Sequence, residues 1–250
     1  MKAIILAAGQ GTRLRLAHGD RPKCLVRFDY TGWTILDQQI DGLFSAGVRD
    51  IGIVVGYERD QIIQHVTRNY RRSLHRFRFI ENPDFAETNN IYSLWMARNW
   101  LKGSSFVVLN ADVVFDGSIL PSAMSSRAPI TMIVDPVWRD ETMKVIIAGD
   151  RIIRMNKQIP REDFSATYIG ITVVDASAHG RLFSRIDDLI SSGDDRVFFN
   201  AAVQQLADEG LHVGYTETEG LPWAEIDDPG DLAFARLHVF PKLVRIPAAA

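Results

Sequence analysis

A single cysteine, Cys24, in 250 residues excludes an intrachain disulfide framework and a cysteine-rich zinc centre. No apolar run reaches the roughly 20 residues that a membrane-spanning helix requires. Basic charge is not in excess: 28 Lys and Arg against 31 Asp and Glu leave a formal net charge of -3. That balance argues against a general nucleic-acid binder, whose footprint is basic. His18, His65, His75, His179, His212 and His238 share no ligand spacing and read as surface residues. No Ser/His/Asp or Cys/His constellation is legible. No internal repeat, low-complexity block or linker divides the chain. One domain over residues 1–240, with a loosely patterned tail at 241–250, is therefore expected.

What the chain does have begins at its start. The apolar run Ala3 to Ala8 reads as a buried strand. It breaks at once into Gly9-Gln10-Gly11-Thr12-Arg13, followed by Arg15 and then Arg21-Pro22-Lys23. Two glycines let a backbone approach a ligand and turn its N–H groups outward, while the arginines and Lys23 add fixed positive charge. This is the chemistry of a loop that wraps a polyphosphate. A plain strand-to-helix turn with solvated arginines is the alternative. The loop lacks the third glycine of a dinucleotide fingerprint and the Gly-Lys-Ser/Thr ending of a P-loop. Cys24, beside these cations, reads as a small semi-buried residue, although Arg21 and Lys23 would favour its thiolate. The first residues mimic a signal peptide only faintly, because glycines and arginines stand where a cleavage site belongs. A cytoplasmic protein without membrane insertion is expected.

Strand and helix patterns alternate. Ile35 to Ala46 is helical with Ile35, Leu36, Ile40, Leu43 and Phe44 inward, and Gly47 stops it. Ile51 to Val55 is a second strand, Asp60 to Tyr70 an amphipathic helix, and Arg76 to Glu81 a third strand. Asn90 to Leu101 reads as one helix and Ser105 to Leu109 as a fourth strand. The second half is richer in strands, at Ile130 to Val134, Met143 to Ile147, Arg151 to Met155 and Ala166 to Val174. Helices return at Arg181 to Ser191, Asn200 to Glu209 and Leu232 to Leu237. The pattern implies an α/β protein with three layers, whose ligands sit beyond the carboxyl ends of the strands.

Two carboxylates end apolar strands: Asp112 after Asn110-Ala111, and Asp227 after Trp223-Ala-Glu-Ile. Either could cap a turn, and either could hold a hard cation such as Mg²⁺ together with phosphate oxygens. Asp228 and Asp231 read as cap residues of the helix that follows. Asn89 and Asn90 precede a helix, which they could cap, or they could face a base or a phosphate. Lys144 and Lys157 lie in or beside short strands, placed either for solvent or for an incoming phosphate. Trp138, Tyr168 and Trp223, with Asp135 and Glu225 nearby, could fill the core or enclose a substituted ammonium.

The string Leu6-Ala7-Ala8-Gly9-Gln10-Gly11-Thr12-Arg13-Leu14 with Pro22-Lys23 resembles the signature of nucleotidyltransferases that build activated sugars and polar lipid head groups. Asn89-Asn90-Ile91-Tyr92-Ser93-Leu94 is similar to a string in bacterial CTP:phosphocholine cytidylyltransferases and in relatives acting on 2-aminoethylphosphonate. The resemblance implies a Rossmann-like, GT-A-like three-layer fold with a mixed, mostly parallel sheet. It places the nucleotide-binding half at about 1–115 and the acceptor-binding half at about 116–240. It implies Mg²⁺-dependent transfer of CMP from CTP to a small phosphorylated or phosphonylated acceptor, with release of pyrophosphate. Arg13 and Lys23 are then the catalytic cations, and Asp112 and Asp227 the metal ligands. Leu6, Ala8, Gly9, Gly11, Arg13, Lys23, Asn89 and Asp112 bind the nucleotide. Asn90, Asp135, Trp138, Lys144, Lys157, Tyr168, Trp223 and Glu225 bind the acceptor. A homodimer is compatible with the resemblance. A sugar- or polyol-phosphate nucleotidyltransferase using UTP, dTTP or CTP is the alternative within the class. An inactive nucleotide-sensing domain is the alternative outside it, although Arg13, Lys23, Asp112 and Asp227 are all present.

Overall fold

The computed structural model describes residues 1–14, 19–28 and 32–243. Arg15, His18 and the tail from 244 lie outside them. A mixed nine-stranded sheet is the centre of the molecule. Its main path carries β1 (Lys2–Ala7), β2 (Asp50–Val55), β3 (Phe77–Glu81), β4 (Phe106–Asn110), β6 (Ile130–Asp135), β9 (Ala166–Val174) and β10 (Val213–Glu217). Their spatial order is β10-β6-β9-β4-β1-β2-β3. All neighbours along it are parallel except β9, which runs antiparallel to both β4 and β6. A hairpin of β7 (Lys144–Ala148) and β8 (Arg151–Asn156) extends from the start of β9. A separate two-stranded ribbon pairs β5 (Val113–Phe115) with β11 (Trp223–Glu225).

β1 is buried from Ala3 onward because a central parallel strand is covered on both faces, so its sequence is continuously apolar. Its alternate residues divide the core. Ile4 and Leu6 pack with Ile91, Leu94, Val108 and Leu182, under α3 (Asn90–Met96), α6 (His179–Ser191) and α7 (Asn200–Asp208). Ala3, Ile5 and Ala7 pack with Leu36, Ile40, Leu43 and Leu109, under α1 (Ile35–Ser45) and α2 (Arg59–Asn69). The three layers read from the sequence are thus present. No helix among the described residues is long and apolar enough to cross a membrane.

Local chemistry sets the bounds of α1. Thr34 Oγ1 accepts from the Asp37 amide at 3.1 Å, and Asp37 Oδ2 accepts from the Thr34 amide at 3.0 Å, a reciprocal cap. At the other end Gly47 takes φ +84°, and Val48 N–H donates to Leu43 O at 2.9 Å, so the helix closes on its expected glycine.

Three expectations are corrected. The helix read over Asn90 to Leu101 is two, α3 and α4 (Arg98–Leu101), because Ala97 N–H turns back to Leu94 O and tightens the ladder there. β5, β10 and α5 (Leu120–Met124) were not legible; they are short and take their order from pairing and packing. His65, His179 and His212 are half-buried instead of superficial. His65 Nε2 lies 2.8 Å from Asp37 Oδ1, and the Tyr70 hydroxyl donates to the same oxygen at 3.1 Å.

Burial works to raise the pKa of the Asp37 carboxyl, but His65 and Thr34 outweigh it and hold it below the usual carboxylate value. Its stabilising contribution is therefore complete above the unfolded carboxylate pKa and is lost as pH falls through the lower folded value. Asp37→Asn should cost about 1–3 kcal/mol in urea unfolding at neutral pH, because buried donors lose a charged acceptor. It should also flatten the acid loss of stability below about pH 4, near the unfolded carboxylate value. An unchanged pH slope would show that the network contributes nothing.

Candidate active site

The glycine loop follows the carboxyl end of β1. Gly11 takes φ +57°, and a Cβ there would stand 2.9 Å from the Lys23 Cβ. Glycine is required on both counts: it turns the chain and lets Lys23 lie against the loop. Leu14 is fully buried and anchors a single 3₁₀ turn, Thr12–Leu14, leaving the Arg13 side chain largely exposed. Pro22, at φ −53°, leads into the turn Lys23–Leu25, where Cys24 and Leu25 are buried. Burial pushes the Cys24 thiol up to about 12, so the neighbouring cations do not make it a thiolate.

The two aspartates come from distant parts of the chain. Asp112 precedes β5 and Asp227 follows β11, and Val113 pairs with Glu225. The ribbon continues one step further, with Ile226 N–H donating to Asp112 O at 2.9 Å. Gln39, fully buried on α1, donates to Asn110 O and Val113 O at 2.8 Å each, bracing the turn that carries Asp112. Behind Asp227 begins α8 (Pro229–Phe234), capped reciprocally by Asp228 and Asp231 as the sequence suggested. Asp231 Oδ2 also accepts from the Asp227 amide at 2.8 Å.

Lys23 Nζ lies 2.9 Å from Asp112 Oδ2 and also contacts Asp227 Oδ1. Arg13 Nη2 is 2.9 Å from Asp227 Oδ2. Ligand oxygens of Asp112, Glu225 and Asp227 all lie within 4.8 Å of one another. Burial alone would lower the Lys23 pKa, but Asp112 and Asp227 outweigh it and raise it. Burial likewise works to raise the pKa of Asp227, yet Lys23 and Arg13 outweigh it and lower it. Glu225 is raised, first by burial and then by the charges of Asp112 and Asp227. Asp112 Oδ1 is buried with no hydrogen-bond partner. An unpartnered buried carboxylate oxygen among other carboxylates is suited to a hard divalent cation, so the donor set fits Mg²⁺.

These groups open into a cleft of about 260 Å³. Of the residues expected at the site, Leu6, Ala8, Gly9, Gly11, Arg13, Lys23, Asn89, Asn90, Asp112, Lys157, Glu225 and Asp227 line it. Asn89 caps α3, and Asn90 Oδ1 accepts from the Phe199 amide at 2.8 Å, so both also fasten the helix. Asp135, Trp138, Lys144, Tyr168 and Trp223 do not line the cleft. Asp135 Oδ2 accepts from Thr218 Oγ1 and Trp223 Nε1, each at 2.7 Å, inside the fold. Tyr168 is buried with its hydroxyl on Thr172. Lys144 is buried and donates to the carbonyls of Thr142 and Lys157, while half-buried Trp138 donates to Asp140. Nine further liners, among them Asn82, Phe85, Ser93, Asn110 and Phe198, were not among the expected site residues. Asn82 follows β3 and precedes Pro83; it is 1% exposed and donates to Ser93 Oγ.

Comparison with known proteins gives the family and the fold. The model of the MobA-like NTP transferase domain matches residues 3–165. A CTP:phosphoglutamine cytidylyltransferase of Campylobacter jejuni is 26% identical, over 93% of this chain and 98% of its own. A choline-phosphate cytidylyltransferase of Streptococcus pneumoniae is 28% identical, over 92% of this chain and 95% of its own. The solved inositol-1-phosphate CTP transferase from T. maritima shares the fold, with a TM-score of 0.80 at 22% identity, covering 98% of each chain.

The ion cluster has a direct test. Lys23→Met leaves Asp112 and Asp227 facing each other without their shared cation, and should cost about 1–3 kcal/mol of stability in urea, given the partial exposure of all three. Added Mg²⁺ should recover part of that loss and should raise the variant's unfolding midpoint more than the wild type's. An equal response to Mg²⁺ in both proteins would refute cation binding between these carboxylates.

Proposed function

Because the chain belongs to the family of MobA-like NTP transferase domains, we propose that this nucleotidyltransferase is a Mg²⁺-dependent cytidylyltransferase. It transfers CMP from CTP to a small acceptor bearing a phosphate or phosphonate, and it releases pyrophosphate. The observation that carries the reading is Lys23 held between Asp112 and Asp227, with Arg13 on the second of them, at the mouth of the glycine loop. Cytidine as the nucleoside and a phosphorus-bearing acceptor are supported by the relatives' names, at 26% and 28% identity over nearly their full length.

Each group has a physical task in such a transfer. The turn at Gly9 to Gly11 offers backbone N–H donors to a triphosphate, and exposed Arg13 adds a mobile cation for the departing phosphates. Lys23 is kept protonated by its aspartates, so a full positive charge stands beside the reacting phosphate as negative charge builds up there. Asp112 and Asp227, with Glu225 close by, would hold Mg²⁺, which when bound offsets phosphate charge. Lys157, exposed at the rim of the cleft, is placed to receive the acceptor's anionic group. The acceptor oxygen is already ionised at neutral pH, so the transfer needs no general base and no covalent enzyme intermediate. The proposed reaction, between CTP and a small polar acceptor, is a cytoplasmic one.

Asp112→Asn and Asp227→Asn nearly preserve shape while removing a charge from the cation site. Each should lower turnover at least a hundredfold, roughly 3 kcal/mol on the barrier. Pyrophosphate release with CTP, Mg²⁺ and a panel of phosphate and phosphonate acceptors measures this. Near-normal Mg²⁺-dependent turnover in Asp227→Asn would remove that residue from the site. A wide preference for UTP or dTTP with sugar 1-phosphates would replace the cytidylyl reading with the sugar one.

A further inference from the structure

A second cavity of about 530 Å³ adjoins the nucleotide cleft, and Lys157 and Phe198 line both. Met143, Met155, Val197 and Ala201 give it apolar walls, and Asn156, Gln158, Asn200 and Gln204 bring amides to it, Asn156 Oδ1 already accepting from the Gln158 backbone amide. No Asp or Glu lines it among the described residues. Gln204 is fully engaged, accepting from the Met155 amide at 2.7 Å and donating to Ile153 O and Asp208. Asn200 differs. Its side chain is 4% exposed, and its Nδ2 is buried without a hydrogen-bond partner. An idle buried amide beside a cavity calls for an oxygen that can accept from it.

The nearby aromatic faces are already taken. Lys144 Nζ stands 4.7 Å over the Trp138 ring, Arg139 4.4 Å over Trp223, and Lys157 Nζ 5.2 Å over Phe198. A substituted ammonium needs an open aromatic face, a carboxylate, or both. This cavity has Lys157 at its entrance and no carboxylate, which repels a cation instead of binding it. Two methionines make the walls adaptable to a short apolar stem.

We propose that the acceptor carries, beyond its phosphate or phosphonate, a short apolar stem that ends in an uncharged hydrogen-bond acceptor such as a carboxamide oxygen. The stem enters this second cavity and Asn200 reads its end, which makes Asn200 a specificity-determining residue. The proposal rests on the cytidylyl-transfer reading above and narrows its acceptor class.

The test uses the full chain with CTP, Mg²⁺ and three phosphomonoesters of equal stem length, ending in carboxamide, methyl and trimethylammonium. Pyrophosphate release should favour the carboxamide over both others by at least about tenfold in kcat/KM, since a site built to hydrogen-bond a group rejects analogues that lack it. Asn200→Leu should abolish that preference through the acceptor KM, raising it for the carboxamide and lowering it for the methyl ester, with no effect on the KM for CTP. A preference for trimethylammonium in the wild type overturns the proposal, even where Asn200→Leu does not fold. An Asn200→Leu loss spread evenly over all three esters also overturns it, as a merely structural role would. A sugar 1-phosphate is run as a fourth acceptor: release with it alone overturns the proposal, while cytidylyl transfer to a phosphate-bearing acceptor stands. Silence with every acceptor overturns the proposal and the cytidylyl-transfer reading beneath it.

Discussion

Like charges at close range are what the rest of the molecule must hold. Asp112, Glu225 and Asp227 bring carboxylate oxygens within 4.8 Å of one another. Two unit charges about 4 Å apart repel by about 4 kcal/mol at an effective dielectric of about 20. Side chains alone would relax away from such a cluster. The backbone prevents it: the β5–β11 ribbon fixes Asp112 against Asp227, and the cap of α8 ties the Asp227 amide to Asp231. Lys23 and Arg13 then supply the positive charge that makes the arrangement stable.

The support extends one layer further back. Gln38 and Gln39 on α1 donate to the carbonyls of Phe115, Asn110 and Val113, so a buried helix face satisfies the irregular backbone around Asp112. The same helix is capped by Thr34 and Asp37, and Asp37 is held by His65 and Tyr70. The turn that carries Asp112 is thereby fastened to the core through hydrogen bonds made at one helix. β9 contributes in a different way. Gly170, at φ +87°, leaves room for Val113 and Asn110, where a Cβ would come within 2.7 Å of the valine. The one antiparallel strand on the sheet's main path thus passes close behind the site.

Polar groups are used in two different ways. Around the cleft, Arg13, Lys23, Asp112 and Asp227 pair with one another and remain partly exposed. Deeper in the second half of the chain, Asp135, Lys144 and Tyr168 are spent on internal hydrogen bonds: Asp135 to Thr218 and Trp223, Lys144 to the Thr142 and Lys157 carbonyls, and Tyr168 to Thr172. An aromatic residue near a carboxylate in sequence was therefore an unreliable guide to an ammonium site. Asp135 and Trp223 do meet, but they meet each other.

By itself the sequence determined whatever depends on neighbours in the chain. Continuous apolar runs made β1, β2, β4 and β9 legible, Gly47 and Asp228 marked helix ends, and the glycines and cations from Gly9 to Lys23 marked a turn that lines the cleft. These are local consequences of periodicity, φ and capping. Only the tertiary structure decided which polar residues face the cleft and which face the core. Asn82, Ser93 and Asn110 sit in or beside strings that the sequence singles out, but nothing in those strings says that these side chains line the cleft, and Asn200 carries no legible signal at all. The β5–β11 pairing joins segments whose partners are far apart along the chain, and no pattern within either three-residue strand specifies the other. Side chains of the same type, such as Lys144 and Lys157, thus ended in different environments. Burial and hydrogen-bond partners are properties of the assembled sheet, and the sheet exists only after distant strands have paired.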